Sequence, residues 1–238
     1  MKKRLQSWSI IIFCYNEKDS VRQVNEAVQK VLSRISNSKR EVIIVDDGSQ
    51  DGSAQVIREI AKKYRNVRAI YHHSNRGIGE ALRSGYQAAR YEDVCAIPAD
   101  GQFNCQELLS FKFVEEKTFV SFCRKVQSGY SFFRRALSAT NRIINRVLMG
   151  TRMEDVNWVK IYKLKELSQL DLRLRSSLVE SEICAKLFLR GNKCLQTPSI
   201  YHQRAGGKAR GASLKIVWKA FFEICKLTWV VWGYRLRS

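Results

Sequence analysis

Three short stretches limit what this chain can fold into. "WSIIIFCY" (8–15), "EVIIVD" (41–46) and "VCAIP" (94–98) are apolar without interruption, and "VRAIYH" (67–72) is a weaker fourth. A strand with one wet face alternates apolar and polar residues. One without alternation is buried on both faces, and its usual setting is a parallel sheet covered by helices. Helical patterns lie between these runs. Val21, Val24, Val28, Val31, Leu32 and Ile35 recur at three- and four-residue spacing across 20–35; Val56, Ile57 and Ile60 do so across 53–64; a third pattern follows "NRG" over 78–89. The resulting order, β-α-β-α-β-α-β, predicts a doubly wound α/β unit with right-handed crossovers. Sheets of this kind bind ligands beyond the carboxyl ends of their strands.

Each of those ends is polar or acidic: "CYNE" (14–17), "VDDGSQDGS" (45–53), "HHSNRG" (72–77) and "PADGQ" (98–102). Asp46 and Asp47 leave the second strand directly, and Gly48 and Gly52 permit tight turns before the helix. Asp51 or Ser53 reads as a helix N-cap. Asp47 precedes the turn, where a carboxylate can accept hydrogen bonds from a nucleobase imide or a ribose hydroxyl. "SNRG" is either a plain turn or a place where Gly77 lets a diphosphate come close. At the fourth end Asp100 and Gln102 follow Pro98, a carboxylate and a carboxamide beside a residue that offers no ligand.

Taken together, "IIIFCYNE", "VIIVDDGSQDGS", "SNRGIGEALRSGYQAA" and "PADGQF" resemble an inverting family-2 glycosyltransferase of the GT-A fold, in its dolichyl-phosphate-mannose-synthase-like branch. The resemblance spans about residues 8–210 and rests on four motifs in order. It implies a Rossmann-like, mainly parallel sheet and a nucleotide-sugar donor, GDP- or UDP-linked. Tyr15 and Glu17 would contact the nucleoside, with Val45, Asp47 and Ala99 completing the donor site. Asp100 and Gln102 would hold Mg²⁺ or Mn²⁺, since the family has an Asp-x-Asp-x-Gln pattern here. Pro98 replaces the first Asp of that pattern. Because these ions are commonly held by one or two carboxylates plus substrate phosphates, the departure predicts weaker metal binding rather than none.

The resemblance also implies an acceptor site. An Arg after a strand and an Arg followed four residues later by Ser bind the acceptor phosphate in this branch; here these are Arg124, Arg134 and Ser138, with Arg135 next in register. Arg204, in "YHQRAGGKAR", matches an Arg near the phosphates on a loop whose closure Gly206 and Gly207 would permit. His202 reads as structural. A polyprenyl phosphate needs no base, because a phosphomonoester is mostly anionic at neutral pH. A saccharide hydroxyl would need one, and Glu180 or Glu182 would then be the candidate.

Charge sharpens the choice of partner. The formal net charge is +20, yet residues 1–110 carry 17 Lys+Arg against 13 Asp+Glu, while residues 201–238 carry eight against one. A basic C-terminal half suits nucleic acid, anionic lipid or phosphorylated substrates; acidic strand ends facing the cleft argue against nucleic acid. From Ser213, "SLKIVWKAFFEICKLTWVVWGYR" plots as a helix with Lys215, Lys219, Lys226 and Glu223 in one stripe and Trp218, Trp229 and Trp232 beside it. Such a helix fits a membrane interface, or else packs on the protein's own core or on a partner subunit. The expected organisation is a glycosyltransferase domain over 1–212 and an amphipathic helix with basic tail over 213–238. The chain would sit peripherally on the cytoplasmic face of a membrane, without a transmembrane span. Seven cysteines without a Cys-x-x-Cys pair read as reduced thiols, Cys14 and Cys95 as core residues.

Overall fold

The computed structural model describes residues 7–36, 39–124, 153–176, 178–202 and 214–236, with backbone alone for 214–221. The first four strands are β1 (Trp8–Cys14), β2 (Arg40–Asp46), β3 (Val67–Tyr71) and β4 (Asp93–Pro98). They alternate with helices α1 (Val21–Ile35), α2 (Ser53–Lys63) and α3 (Ile78–Ala88). After a 3₁₀ turn at Cys105–Ser110 come β5 (Thr118–Arg124), β6 (Lys160–Lys163), the single turn α4 (Leu164–Leu167), α5 (Val179–Leu189), β7 (Lys193–Ser199) and α6 (Leu214–Arg235). One seven-stranded sheet results, ordered β3-β2-β1-β4-β6-β5-β7. Its strands run parallel except β6, which is antiparallel to both β4 and β5.

The unbroken apolar runs are explained by what covers the sheet. Along β1, Ile10 and Ile12 join Val28, Leu32 and Ile60 on the α1/α2 side. Ile11, between them, joins Leu82, Tyr86, Ile183 and Val231 on the α3/α5/α6 side. From Trp8 to Ile12 neither face meets water, so the large side chains there gain from being apolar, roughly 1.5–3 kcal/mol each. Gly85 keeps α3 tight against this strand, since a Cβ there would collide with the Ile11 side chain. Cys14 and Cys95 are core residues, and burial pushes the Cys14 thiol up to about 12.

Helix α6 divides its surface. Leu227 and Val231 are buried in the α5 side of the core, and Arg190 reaches the Tyr234 hydroxyl at 3.4 Å. On the opposite side Trp229 is 71% exposed and Trp232 64%, with Phe222 and Leu236 also exposed. One face of the segment therefore packs on the domain, as one of the expectations had it, while the tryptophan face points outward. Among the described residues, no helix is long and apolar enough to cross a membrane.

Candidate active site

A cleft of about 540 Å³ opens where β1, β2 and β4 end, and Tyr15, Glu17, Asp47, Gly77, Ala99 and Asp100 are among its walls. Its rim is made by one loop gripping another. Asn16 adopts a left-handed backbone (φ 56°), which swings the chain out of β1 and presents its N–H groups to the next loop. Ser49 Oγ accepts from the Asn16 N–H (2.9 Å), Ser53 Oγ from Glu17 (3.0 Å) and Asp51 Oδ2 from Lys18 (3.0 Å), while Asn16 Oδ1 accepts from the Gln50 N–H (2.8 Å). The polar residues of "GSQDGS" thus clamp "CYNE" in place. The N-cap position of α2 is neither Asp51 nor Ser53 but Gly52, which carries no side-chain cap; Asp51 Oδ1 accepts from the Ser53 N–H at 2.9 Å just ahead of the helix, and Ser53 is the first helical residue and spends its hydroxyl on the clamp. Burial works to raise the Asp51 carboxyl, but the bonds from Ser53 and Lys18 outweigh it and hold the group below its ordinary value.

Asp47 is almost completely buried and tied to the α3 entrance. Its Oδ1 accepts from the Arg76 N–H (2.9 Å) and lies 2.7 Å from His72 Nδ1, and its Oδ2 accepts from the Gly77 N–H (2.8 Å). The turn it holds also requires Gly48, at φ 71°, because a Cβ there would run into the main chain at Ser74. Its neighbour Asp46 has its carboxyl raised, mainly by burial, with the charges of Asp51 and Asp47 adding to it. Val45 is wholly buried on the α3 face of the sheet, so its side chain does not line the cleft.

Asp100 stands at the fourth strand end, where its Oδ1 accepts from the Gln102 N–H at 3.0 Å. The Gln102 carboxamide donates from Nε2 to the Tyr201 hydroxyl, and the His202 N–H donates to the Gln102 carbonyl at 3.1 Å. The segment after β7 is therefore bonded directly to the Asp100–Gln102 loop. Among the described residues no three His, Cys, Asp or Glu side chains gather as a metal site. One carboxylate and one carboxamide oxygen, completed by diphosphate oxygens, nevertheless make a hard donor set that suits Mg²⁺ or Mn²⁺.

A second recess of about 200 Å³ shares Phe13, Ile78, Pro98 and Asp100 with the cleft and continues to Arg124, Trp158, Lys160 and Glu180. Arg124, at the end of β5, forks onto Asp155 (2.6 and 3.0 Å) and stacks 4.8 Å from the Trp158 ring centre. Trp158 is braced in turn by Ser199 Oγ, 3.0 Å from its ring N–H. Glu180 forms the floor. It accepts from the Tyr86 hydroxyl (2.6 Å) and the Tyr162 hydroxyl (2.7 Å), and Lys160 Nζ lies 3.2 Å away. Lys160 gives its other protons to the carbonyls of Val156 (2.5 Å) and Trp158 (2.9 Å). Burial alone would lower the Lys160 ammonium; the Glu180 charge reverses this and raises it, and both tyrosines are pushed well above their ordinary value by burial and that same charge. Glu182 is engaged as well, accepting from the Leu174 N–H (2.8 Å) and pairing with Lys186 (2.6 Å).

The strand ends thus bring together Tyr15, Glu17, Asp47, Ala99 and Asp100 around one cleft, and Arg124 meets Asp100 across the second recess. Arg134, Ser138 and Arg204 lie outside the described residues. His72, Asp155, Trp158, Lys160 and Tyr201 did not stand out in the sequence. For the segment around Trp158 a signal existed, because "WVKIYK" (158–163) has the aromatic and β-branched content of a strand.

Comparison with known proteins agrees with this geometry. The family described as "Glycosyl transferase family 2" matches residues 9–163. The dolichol-phosphate mannosyltransferase of Saccharomyces cerevisiae is 27% identical over 147 residues, covering 59% of this chain and 55% of that protein. The undecaprenyl-phosphate 4-deoxy-4-formamido-L-arabinose transferase of Edwardsiella ictaluri is 26% identical over 222 residues, covering 90% of this chain and 66% of that one. A poly-beta-1,6-N-acetyl-D-glucosamine synthase of Staphylococcus epidermidis is 34% identical over 98 residues, 41% of this chain and 23% of its own length. The chain spans less than two thirds of each of these relatives. Among solved structures, glucosyl-3-phosphoglycerate synthase of Mycobacterium tuberculosis superposes with a TM-score of 0.71 at 17% identity, over 96% of this chain and 80% of that one, which shows the shared GT-A-like fold.

Proposed function

The chain belongs to glycosyl transferase family 2, and we propose that it moves a sugar, with inversion, from a nucleotide sugar to a polyprenyl phosphate at a membrane surface. The observation that carries the acceptor choice is the second recess. It joins Asp100 to Arg124, while the carboxylate on its floor, Glu180, is held by two tyrosine hydroxyls and a lysine. A hydroxyl acceptor needs a base able to take its proton, and a carboxylate so engaged is poorly placed to do so. A phosphate acceptor arrives as an anion and needs oriented cations. Arg124, fixed by Asp155 and Trp158, is one; Arg134, Ser138 and Arg204 are proposed to complete the set. The two relatives whose names specify a lipid-phosphate acceptor, dolichol and undecaprenyl, favour the same reading.

On the donor side Tyr15, Glu17 and Asp47 would hold the nucleoside, with Ala99 lining its approach. Solved structures of the M. tuberculosis synthase are complexes with UDP and Mn²⁺ or Mg²⁺. Here Asp100 and Gln102 would hold such an ion, which would offset charge on the departing nucleotide diphosphate. The exposed face of α6 supports peripheral attachment, since Trp229 and Trp232 project beside Lys226 on a helix otherwise anchored to the domain. The polysaccharide-synthase relative keeps a second reading in play, extension of a saccharide hydroxyl. A panel of radiolabelled GDP- and UDP-sugars incubated with membranes and the protein, with and without EDTA, separates the two. Label extracted into butanol and lost with EDTA is expected; label confined to water-soluble glycan would reject the lipid acceptor.

A further inference from the structure

Behind the cleft wall, Asp47 ends a three-residue chain that the family resemblance did not point to. His72 follows β3, and its N–H donates to the Asp46 carbonyl at 2.8 Å, which pins the residue to the end of β2. Its side chain is 5% exposed and bridges two elements, with Nδ1 2.7 Å from Asp47 Oδ1 and Nε2 2.9 Å from Ser84 Oγ on α3. A carboxylate only accepts, so Nδ1 carries the proton of that bond; in the neutral ring Nε2 then accepts from the Ser84 hydroxyl.

The order Ser-His-Asp is that of a nucleophilic triad, but the surroundings run the other way. Ser84 does not line the cleft, whereas Asp47 does. Asp47 Oδ1 has two lone pairs, and His72 and the Arg76 N–H fill them. Oδ2 takes one proton, from Gly77, and keeps a lone pair. The imidazole therefore decides which carboxylate oxygen stays open. We propose that His72, held by Ser84, is a positioning residue that saturates Asp47 Oδ1 and so presents Oδ2 to the nucleoside of the donor. This rests on the donor reading above and adds to it the means by which α3 sets the orientation of Asp47.

The test is titration of wild type and three variants with UDP and with GDP in the presence of Mn²⁺, followed by donor KM and kcat. Loss of a hydrogen bond to a charged group predicts about tenfold weaker nucleotide binding for His72→Leu, with kcat unchanged. His72→Asn places an amide N–H where Nδ1 stood and should stay within about threefold of wild type; Ser84→Ala should cost about threefold. The inference is overturned if His72→Leu binds as wild type does, if His72→Asn is as impaired as His72→Leu, or if kcat falls with KM unchanged. Should His72→Leu fail to fold by circular dichroism, Ser84→Ala decides, and unaltered nucleotide binding there overturns the inference. Wild type binding neither nucleotide would overturn the donor reading itself, and this inference with it.

Discussion

The two halves of the sheet are built by different means. In β3-β2-β1-β4 the strand-end loops are held by side chains that capture backbone N–H groups of the neighbouring loop, as Ser49, Asp51 and Ser53 do for 16–18 and Asp47 does for 76–77. In β6-β5-β7 the site is held by side chains bonded to one another, Arg124 to Asp155 and Lys160 and two tyrosines to Glu180. Main-chain capture needs short polar residues at fixed spacing beside a strand, so it leaves a motif. Side-chain pairing joins positions far apart in the chain and leaves none. In the proposed reaction the first arrangement would fix the shape of the nucleotide site, and the second would supply oriented charge for the acceptor.

The largest effect expected from breaking this division is at the junction. Asp100→Asn should lower transfer on the order of a hundredfold or more, because it removes the one carboxylate of the proposed ion site, and calorimetry should show Mn²⁺ no longer strengthening nucleotide binding. Pro98→Asp, which restores the family pattern, should tighten Mn²⁺ binding and keep transfer. Next in size is the buried pair of the second half. Lys160→Met strands Glu180 without its cation and should cost about 3–5 kcal/mol of unfolding free energy in a urea titration, with UDP or GDP affinity of the folded fraction unchanged. If nucleotide binding falls with it, the halves are not separable as described.

Glu180→Gln tests the absence of a base. It should also destabilise the fold, yet transfer per folded molecule should change by less than about tenfold, against the 10²–10⁴ typical of a missing general base. Smallest is the effect of the outward face of α6. The double variant Trp229→Ser and Trp232→Ser should weaken sedimentation with anionic vesicles about tenfold and leave soluble nucleotide binding and melting temperature unaltered, because those rings are not in the core.

The same contrast explains how much the sequence revealed. Strands β1–β4 and helices α1–α3 fall within a residue or so of where the apolar runs and three- and four-residue repeats place them. There each position answers to a local rule, burial on both faces or an amphipathic stripe. Strand β6 is not legible in the sequence, since its four residues include Lys160 and Lys163, which read as surface until Glu180 and Asp93 are seen beside them. Asp47 is legible as a ligand-facing carboxylate and His72 is not; nothing local to "HHSNRG" says that its first histidine turns inward to meet Ser84. For α6, periodicity separated the lysine stripe from the tryptophans, and packing against α5 decided which part of the remaining circumference is covered.

Whether the acceptor is a lipid phosphate is decided most directly by one defined assay. Purified protein, Mn²⁺ and the labelled nucleotide sugar that it binds are incubated with vesicles containing a polyprenyl phosphate, and in parallel with vesicles containing the corresponding polyprenol. The account predicts butanol-extractable label with the phosphate and none with the alcohol. Equal labelling of both, or labelling of an added oligosaccharide alone, would contradict it.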